Sequence, residues 1–111
     1  MWLLDANMDV HLVAILVDLG FPSATAASRG WKALSNGSLL AAAVGAGFDC
    51  LLTRDQLFGE SASRAMKAYP QFAVVLIDLP QQQWPLYRDR FLGAWSESPI
   101  RPIHGQMIRW P

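Results

Sequence analysis

Two aspartates in this 111-residue chain stand where chemistry is usually staged. Asp5 ends the apolar run Met1-Trp2-Leu3-Leu4, and Asp55 follows Cys50-Leu51-Leu52 after Thr53 and Arg54. Short apolar runs of this kind read as buried strands, and in an open α/β sheet ligands bind outside the carboxyl ends of the strands. If both strands are central, the two carboxylates converge. Converging carboxylates can hold Mg²⁺ or Mn²⁺, hard ions that take oxygen ligands and keep several waters. Such an ion activates water and stabilises charge on a phosphodiester. The competing reading is local: Asp5 caps the following helix and Asp55 caps a turn, places where aspartate is common.

Other chemistries find less support. His11 and His104 are far apart in the chain, and neither has a cysteine or acid at zinc-ligand spacing. Gly45-Ala46-Gly47 precedes a strand candidate instead of following one, so it is no phosphate loop. Ser35, Ser38, Ser61 and Ser63 lie in no nucleophile-elbow context. The single cysteine, Cys50, excludes an intramolecular disulfide and reads as a buried hydrophobe. Of the five tryptophans, most are expected in the core or at an interface. Trp31, between Gly30 and Lys32 ahead of a helix, is the one kept as a ligand contact.

The elements that must position these residues alternate along the chain. Asn7 is expected to cap a helix over Met8–Leu19, apolar on nearly every side and closed by Gly20. Phe21–Ser28 is a weaker strand, and Ser35-Asn36-Gly37-Ser38 precedes the alanine-rich helix Leu39–Val44. Phe48–Leu52 is a strand, Glu60–Ala68 a helix, and Phe72–Ile77 the clearest strand, closed by Pro80. Trp84–Trp95 reads as a helix burying Leu86, Phe91, Leu92 and Trp95, and Gln106–Trp110 as a final strand. Strands alternating with helices predict a single three-layer α/β domain over residues 1–111, with a mainly parallel sheet of four or five strands and right-handed crossovers.

Composition agrees with one core. Apolar residues make up 52% and charged residues 16%, which excludes intrinsic disorder and leaves apolar surface to be covered, as by a homodimer. Nine Lys and Arg balance nine Asp and Glu, so no global positive field marks a nucleic-acid binder. The chain start carries Asp5, Asp9 and Asp18, whereas residues 79–111 carry Arg88, Arg90, Arg101 and Arg109, so an acidic site with a basic flank is open. With no signal-peptide pattern and no transmembrane run, a cytoplasmic protein with no membrane partner is expected.

Three segments taken together resemble the small prokaryotic PIN-like proteins, a branch related to ribonuclease toxins of VapC type. They are Leu3-Leu4-Asp5-Ala6-Asn7, Leu51-Leu52-Thr53-Arg54-Asp55-Gln56-Leu57-Phe58-Gly59, and Val74-Val75-Leu76-Ile77-Asp78-Leu79-Pro80, with the ending Ile108-Arg109-Trp110-Pro111. The resemblance implies a Rossmann-like PIN-type domain whose acids bind Mg²⁺ or Mn²⁺ and cleave RNA. It makes Asp5 and Asp55 the catalytic and metal-binding acids. Asn36 is then a third, neutral metal ligand, and Asn7, Arg54 and Trp31 the substrate contacts. Two departures stand out. Relatives usually read Ser-Asp-Glu-Glu where this chain has Ser35-Asn36-Gly37-Ser38, and often carry a further acid where it has Leu57. Asp9 or Asp78 is the available substitute. The resemblance therefore implies either a ribonuclease, as the toxin partner of an antitoxin protein, or an inactive PIN-like module that binds protein or nucleic acid. A nucleotide-binding module lacks its Gly-rich turn.

Overall fold

The computed structural model describes residues 1–56, 61 and 64–111. Five strands form one sheet in the order β2-β1-β3-β4-β5, and every neighbouring pair is parallel. The strands are β1 (Trp2–Leu4), β2 (Ser23–Thr25), β3 (Cys50–Thr53), β4 (Ala73–Ile77) and β5 (Met107–Trp110). Among the described residues three α-helices cover the sheet: α1 (Leu12–Asp18), α2 (Asn36–Gly45) and α3 (Trp84–Glu97). The α/β architecture is the one that the alternation of elements predicts. Residues 57–60, 62 and 63 lie outside the described set, and with them three of the nine residues of the expected helix Glu60–Ala68 and the whole Leu57-Phe58-Gly59 motif.

Strand burial explains the near-continuous apolar runs. All residues of β1, β3 and β4 are buried, because helices close both faces. Trp2, Leu4, Cys50, Leu52, Ala73, Val75 and Ile77 point to one face, where they meet Leu12 and Leu16 of α1 and Tyr87 and Phe91 of α3. Leu3, Leu51 and Val74 point to the other, against Leu39, Leu40 and Ala43 of α2. Three tryptophans, Trp2, Trp95 and Trp110, cluster with Phe21 and Phe91 on the first face at centroid distances of 4.4 to 6.3 Å. The Trp110 indole N–H also donates to the Ser98 carbonyl at 2.7 Å, so its one polar atom is satisfied.

This distribution of helices corrects the expected handedness. The step from β1 out to β2 carries α1 on the first face, and the step back from β2 to β3 carries α2 on the second, so these two crossovers share a hand. The step from β4 to β5 runs in the same direction as that from β2 to β3, yet α3 lies on the first face. That crossover has the opposite hand, so not all are right-handed, against a rule that parallel crossovers rarely break. The fourteen residues of α3 add Tyr87 and Phe91 to the face on which the seven-residue α1 places Leu12 and Leu16.

Two helices differ in detail from expectation. Asn7 does not cap α1, which begins five residues later. Asp9 Oδ1 accepts the His11 backbone N–H at 2.9 Å and lies 2.6 Å from His11 Nδ1, and this local turn holds the chain out of helix until Leu12. Gly20 does close α1: at φ 96° it lets Phe21 N–H reach the Leu16 carbonyl at 2.8 Å. In α3 the buried face is Tyr87 and Phe91, four residues apart, while Leu86 and Leu92 are 57% and 39% exposed. No helix among the described residues is long and apolar enough to cross a membrane.

Candidate functional site

Strand order reverses between β1 and β3, since β1 leads outward to β2 while β3 leads to β4 on the other side. The crevice beyond the carboxyl ends of these two strands is where an open α/β sheet offers a binding site. Asp5 stands at its centre. Its backbone N–H donates to the Leu52 carbonyl at 2.9 Å, which extends the β1–β3 ladder by one step and fixes where the carboxylate begins. Asp5 Oδ1 then accepts the Ala6 N–H at 2.8 Å, and Oδ2 accepts the Thr53 hydroxyl at 2.8 Å.

Thr53 couples the two acids. It is the last residue of β3 and the buried polar residue of the described core, with no exposed surface. While its hydroxyl donates to Asp5, it accepts the Asp55 backbone N–H at 3.1 Å. Asp5 and Asp55 therefore share one sheet edge and one bridging hydroxyl, with Asp5 half-buried and Asp55 exposed. Next to them, Asn7 Oδ1 accepts the Arg54 N–H at 3.3 Å, which ties the loop after β1 to the loop after β3 and leaves the Asn7 amide hydrogens to the crevice.

The remaining predicted residues are placed differently. Asn36 opens α2 and is half-buried, but the Asp5 carboxylate is engaged by Ala6 and Thr53 and not by Asn36. Trp31 packs edge-on to Phe48 at 5.9 Å in the cluster beneath α2, with the Arg29 guanidinium 4.9 Å from the Phe48 ring. Its ring is thus engaged beside the residue that leads into the amino end of β3. Asp78, just beyond β4, pairs with Arg109 of β5 at 3.2 Å, whereas Asp9 lies in the crevice itself.

A polar cavity of about 160 Å³ opens beside the acids, lined by Asn7, Met8, Asp9, Arg54, Gln81, Gln82 and Tyr87. These residues follow β1, β3 and β4, so the cavity belongs to the same carboxyl edge. It exists because α3 lies on the α1 face, which brings Tyr87 in the first turn of α3 against the loop after β1. The starts of α1 and α3 are joined by the His11 ring, which stacks on Trp84 at 4.9 Å. Burial pushes the Tyr87 phenol above its ordinary value of 10.0; Arg54 opposes that shift and Asp9 reinforces it. The Tyr87 oxygen therefore feels both charged residues of the cavity wall and stays protonated at neutral pH.

Sequence reading missed Thr53, Gln82, Tyr87 and Trp84. A hydroxyl residue closing an apolar strand just before an acid was a signal for Thr53. For Tyr87 and Gln82 there was none, because their place depends on which face α3 covers. A larger cleft of about 270 Å³ lies at the opposite edge, lined by apolar residues such as Val44, Phe48, Tyr69 and Phe72, with the exposed Asp49 as its only acid. No group of three or more His, Cys, Asp or Glu side chains suited to a metal ion occurs among the described residues. No family model matches the chain, and no curated protein or solved structure is significantly similar to it.

Proposed function

We propose that this protein is a divalent-metal-dependent ribonuclease of the PIN-like kind, working at the carboxyl edge of β1 and β3. The observation that carries the reading is the pair Asp5 and Asp55 linked through one buried threonine hydroxyl at the strand-order switch. Mg²⁺ is commonly held by one or two carboxylates together with substrate phosphate and waters, so this donor set meets the minimum. Asp5 and Asp55 would hold Mg²⁺ or Mn²⁺, with Asn36 as a neutral oxygen donor on the same edge. When bound, the ion supplies charge for activating water and for stabilising a phosphodiester oxygen. The chain's own residues do the rest. Ala6 and Thr53 fix the Asp5 carboxylate, each leaving lone pairs on its oxygen. Arg54 offers positive charge to the RNA backbone, and the Asn7 amide offers donors beside it.

Titrating Mn²⁺ by calorimetry and following cleavage of single-stranded RNA, with and without chelator, tests the reading. Metal-dependent cleavage is expected, and Asn36→Asp is expected to tighten Mn²⁺ binding by adding an anionic oxygen. Absence of both binding and cleavage overturns it. A second reading, an inactive PIN-like module that binds RNA or protein, draws on Ser35-Asn36-Gly37-Ser38, which brings no acid to the edge. RNA binding without cleavage is its signature.

An antitoxin protein as partner and a homodimer as assembly belong to the same proposal. Val17 of α1 and Leu86 and Leu92 of α3 are 50%, 57% and 39% exposed and support a surface covered by another chain. Light scattering at tens of micromolar is expected to give a dimer, and a monomer overturns that part.

A further inference from the structure

The cavity beside the acids contains polar groups for which the ribonuclease reading has no use. Among the described residues, the Tyr87 hydroxyl and Gln82 Oε1 are both shielded from solvent and both lack a hydrogen-bond partner. Each such group costs roughly 1–3 kcal/mol, and folded proteins leave few of them. Here the two belong to residues that line one cavity. Tyr87 is 4% exposed and lines the cavity together with Arg54 and Asp9, whose charges act on its phenol in opposite senses. Two unsatisfied groups at one wall point to a ligand that completes them.

Their chemistry restricts that ligand. Gln82 Oε1 accepts only, so a ligand that completes it presents an N–H or O–H, which a fully deprotonated oxyanion such as sulfate lacks. Asp9 adds a second acceptor, because its hydrogen bonds to His11 both use Oδ1. On the donor side stand the Tyr87 hydroxyl, the Asn7 amide hydrogens and the Arg54 guanidinium, which makes no ion pair among the described residues. Acceptors and donors along one small cavity match the edge of a nucleobase. Guanine matches best: N1–H and the N2 amino group suit Gln82 and Asp9, and O6 and N7 suit Arg54. A protein cavity of about 150 Å³ takes up benzene and this one is about 160 Å³, so it holds one ring of a purine and leaves the other at its open mouth. The stacked His11–Trp84 pair, whose His11 is held by the cavity residue Asp9, offers a neighbouring base an aromatic surface.

We propose that the cavity formed by Asn7, Asp9, Arg54, Gln82 and Tyr87 is a nucleobase pocket that prefers guanine and seats an unpaired base beside the Asp5–Asp55 edge. The proposal rests on the RNA reading for the source of the base, but base binding itself requires neither metal nor cleavage. The test is an NMR titration of the isotope-labelled protein, in chelator, with the four nucleoside 5′-monophosphates, inorganic phosphate and an asparagine dipeptide. Guanosine monophosphate is expected to bind about tenfold tighter than the other three, which is about 1.4 kcal/mol. Shifts are expected to centre on the Asn7 and Gln82 side chains and Arg54. Tyr87→Phe, which deletes only the hydroxyl, is expected to weaken guanosine monophosphate about fivefold with an unchanged protein spectrum elsewhere, and Gln82→Leu similarly. Equal binding of all four nucleotides, phosphate as tight as any nucleotide, the dipeptide as tight as guanosine monophosphate, or no effect of either variant overturns the pocket. Base binding without RNA cleavage overturns the ribonuclease reading alone, and cleavage without base binding overturns this one alone.

Discussion

At the acid pair, both oxygens of Asp5 are met by protein donors and the bridging Thr53 hydroxyl both gives and accepts a hydrogen bond. At the neighbouring pocket, on the same sheet edge, the Tyr87 hydroxyl and Gln82 Oε1 meet no partner among the described residues. The first region meets both oxygens of the Asp5 carboxylate with protein donors and ties the Asp55 backbone to the same hydroxyl, so Asp5 is held in place before anything binds. In the second, the fold itself leaves two polar groups without a partner. A positioned acid and an unsatisfied pocket call for opposite experiments: removing a group from the first must harm the fold or the site, whereas removing one from the second must spare the fold.

The largest effect is expected from Asp5→Asn. The Asn side chain can still accept the Ala6 N–H, and its amide can donate to a reoriented Thr53 hydroxyl, so the fold loses only about 1 kcal/mol. Mn²⁺ binding, however, is expected to fall about a hundredfold or more, equal to about 2.7 kcal/mol. Calorimetry checks it, and unaltered affinity would remove Asp5 from the metal site. Next is Thr53→Val, which keeps the shape but leaves Asp5 Oδ2 and the Asp55 N–H without the bridge. Urea unfolding is expected to show a loss of about 1–3 kcal/mol; a neutral result would mean that the acids are not held by Thr53.

A pH titration extends the contrast along β3, from Thr53 at its carboxyl end to Cys50 at its amino end. Burial pushes the Cys50 thiol far above its ordinary value of 9.0, with Asp49 adding to the shift. Tyr87 is raised from 10.0, also chiefly by burial. In the unfolded chain both groups lose protons at their ordinary values, so above pH 9.0 the native state binds more protons than the unfolded one. Stability from these groups is fully present below that pH and is lost as pH rises, by about 1.4 kcal/mol per unit for Cys50. Chemical denaturation at pH 8 to 10.5 should show the decline, and Cys50→Ala should flatten its first part. The smallest effect is Tyr87→Phe on stability: no hydrogen bond is lost, so unfolding free energy is expected to stay within about 0.5 kcal/mol of the parent or to rise. A loss of 2 kcal/mol or more would show that the hydroxyl has a partner in the fold.

The strands were legible because their residues are buried on both faces, so Leu51-Leu52 and Ala73–Ile77 read as apolar runs whatever their neighbours. Asp5 and Asp55 were legible for the related reason that a charge ending such a run marks a strand terminus. The pocket was not. Tyr87 and Leu86 are adjacent in one helix, and only the packing of α3 against α1 decides that Tyr87 turns inward. Asn7 shows a similar limit. It has the residue type of a helix cap, but Asp9 two positions later makes the turn, and the freed Asn7 side chain crosses to Arg54.

The reversed hand of the last crossover also bears on the order in which the molecule is assembled. The pocket draws on positions 7–9, 54, 81–82 and 87, so its walls are far apart in the chain and close only by long-range contacts, the slow kind to form. β1, β3 and β4 can pair while α3 is still unplaced, and a chain stopped there has its acids but no Tyr87 wall. Nothing that needs that wall can bind such an intermediate. A ligand of the pocket therefore acts only on the finished chain, and by mass action it draws incompletely folded molecules toward it.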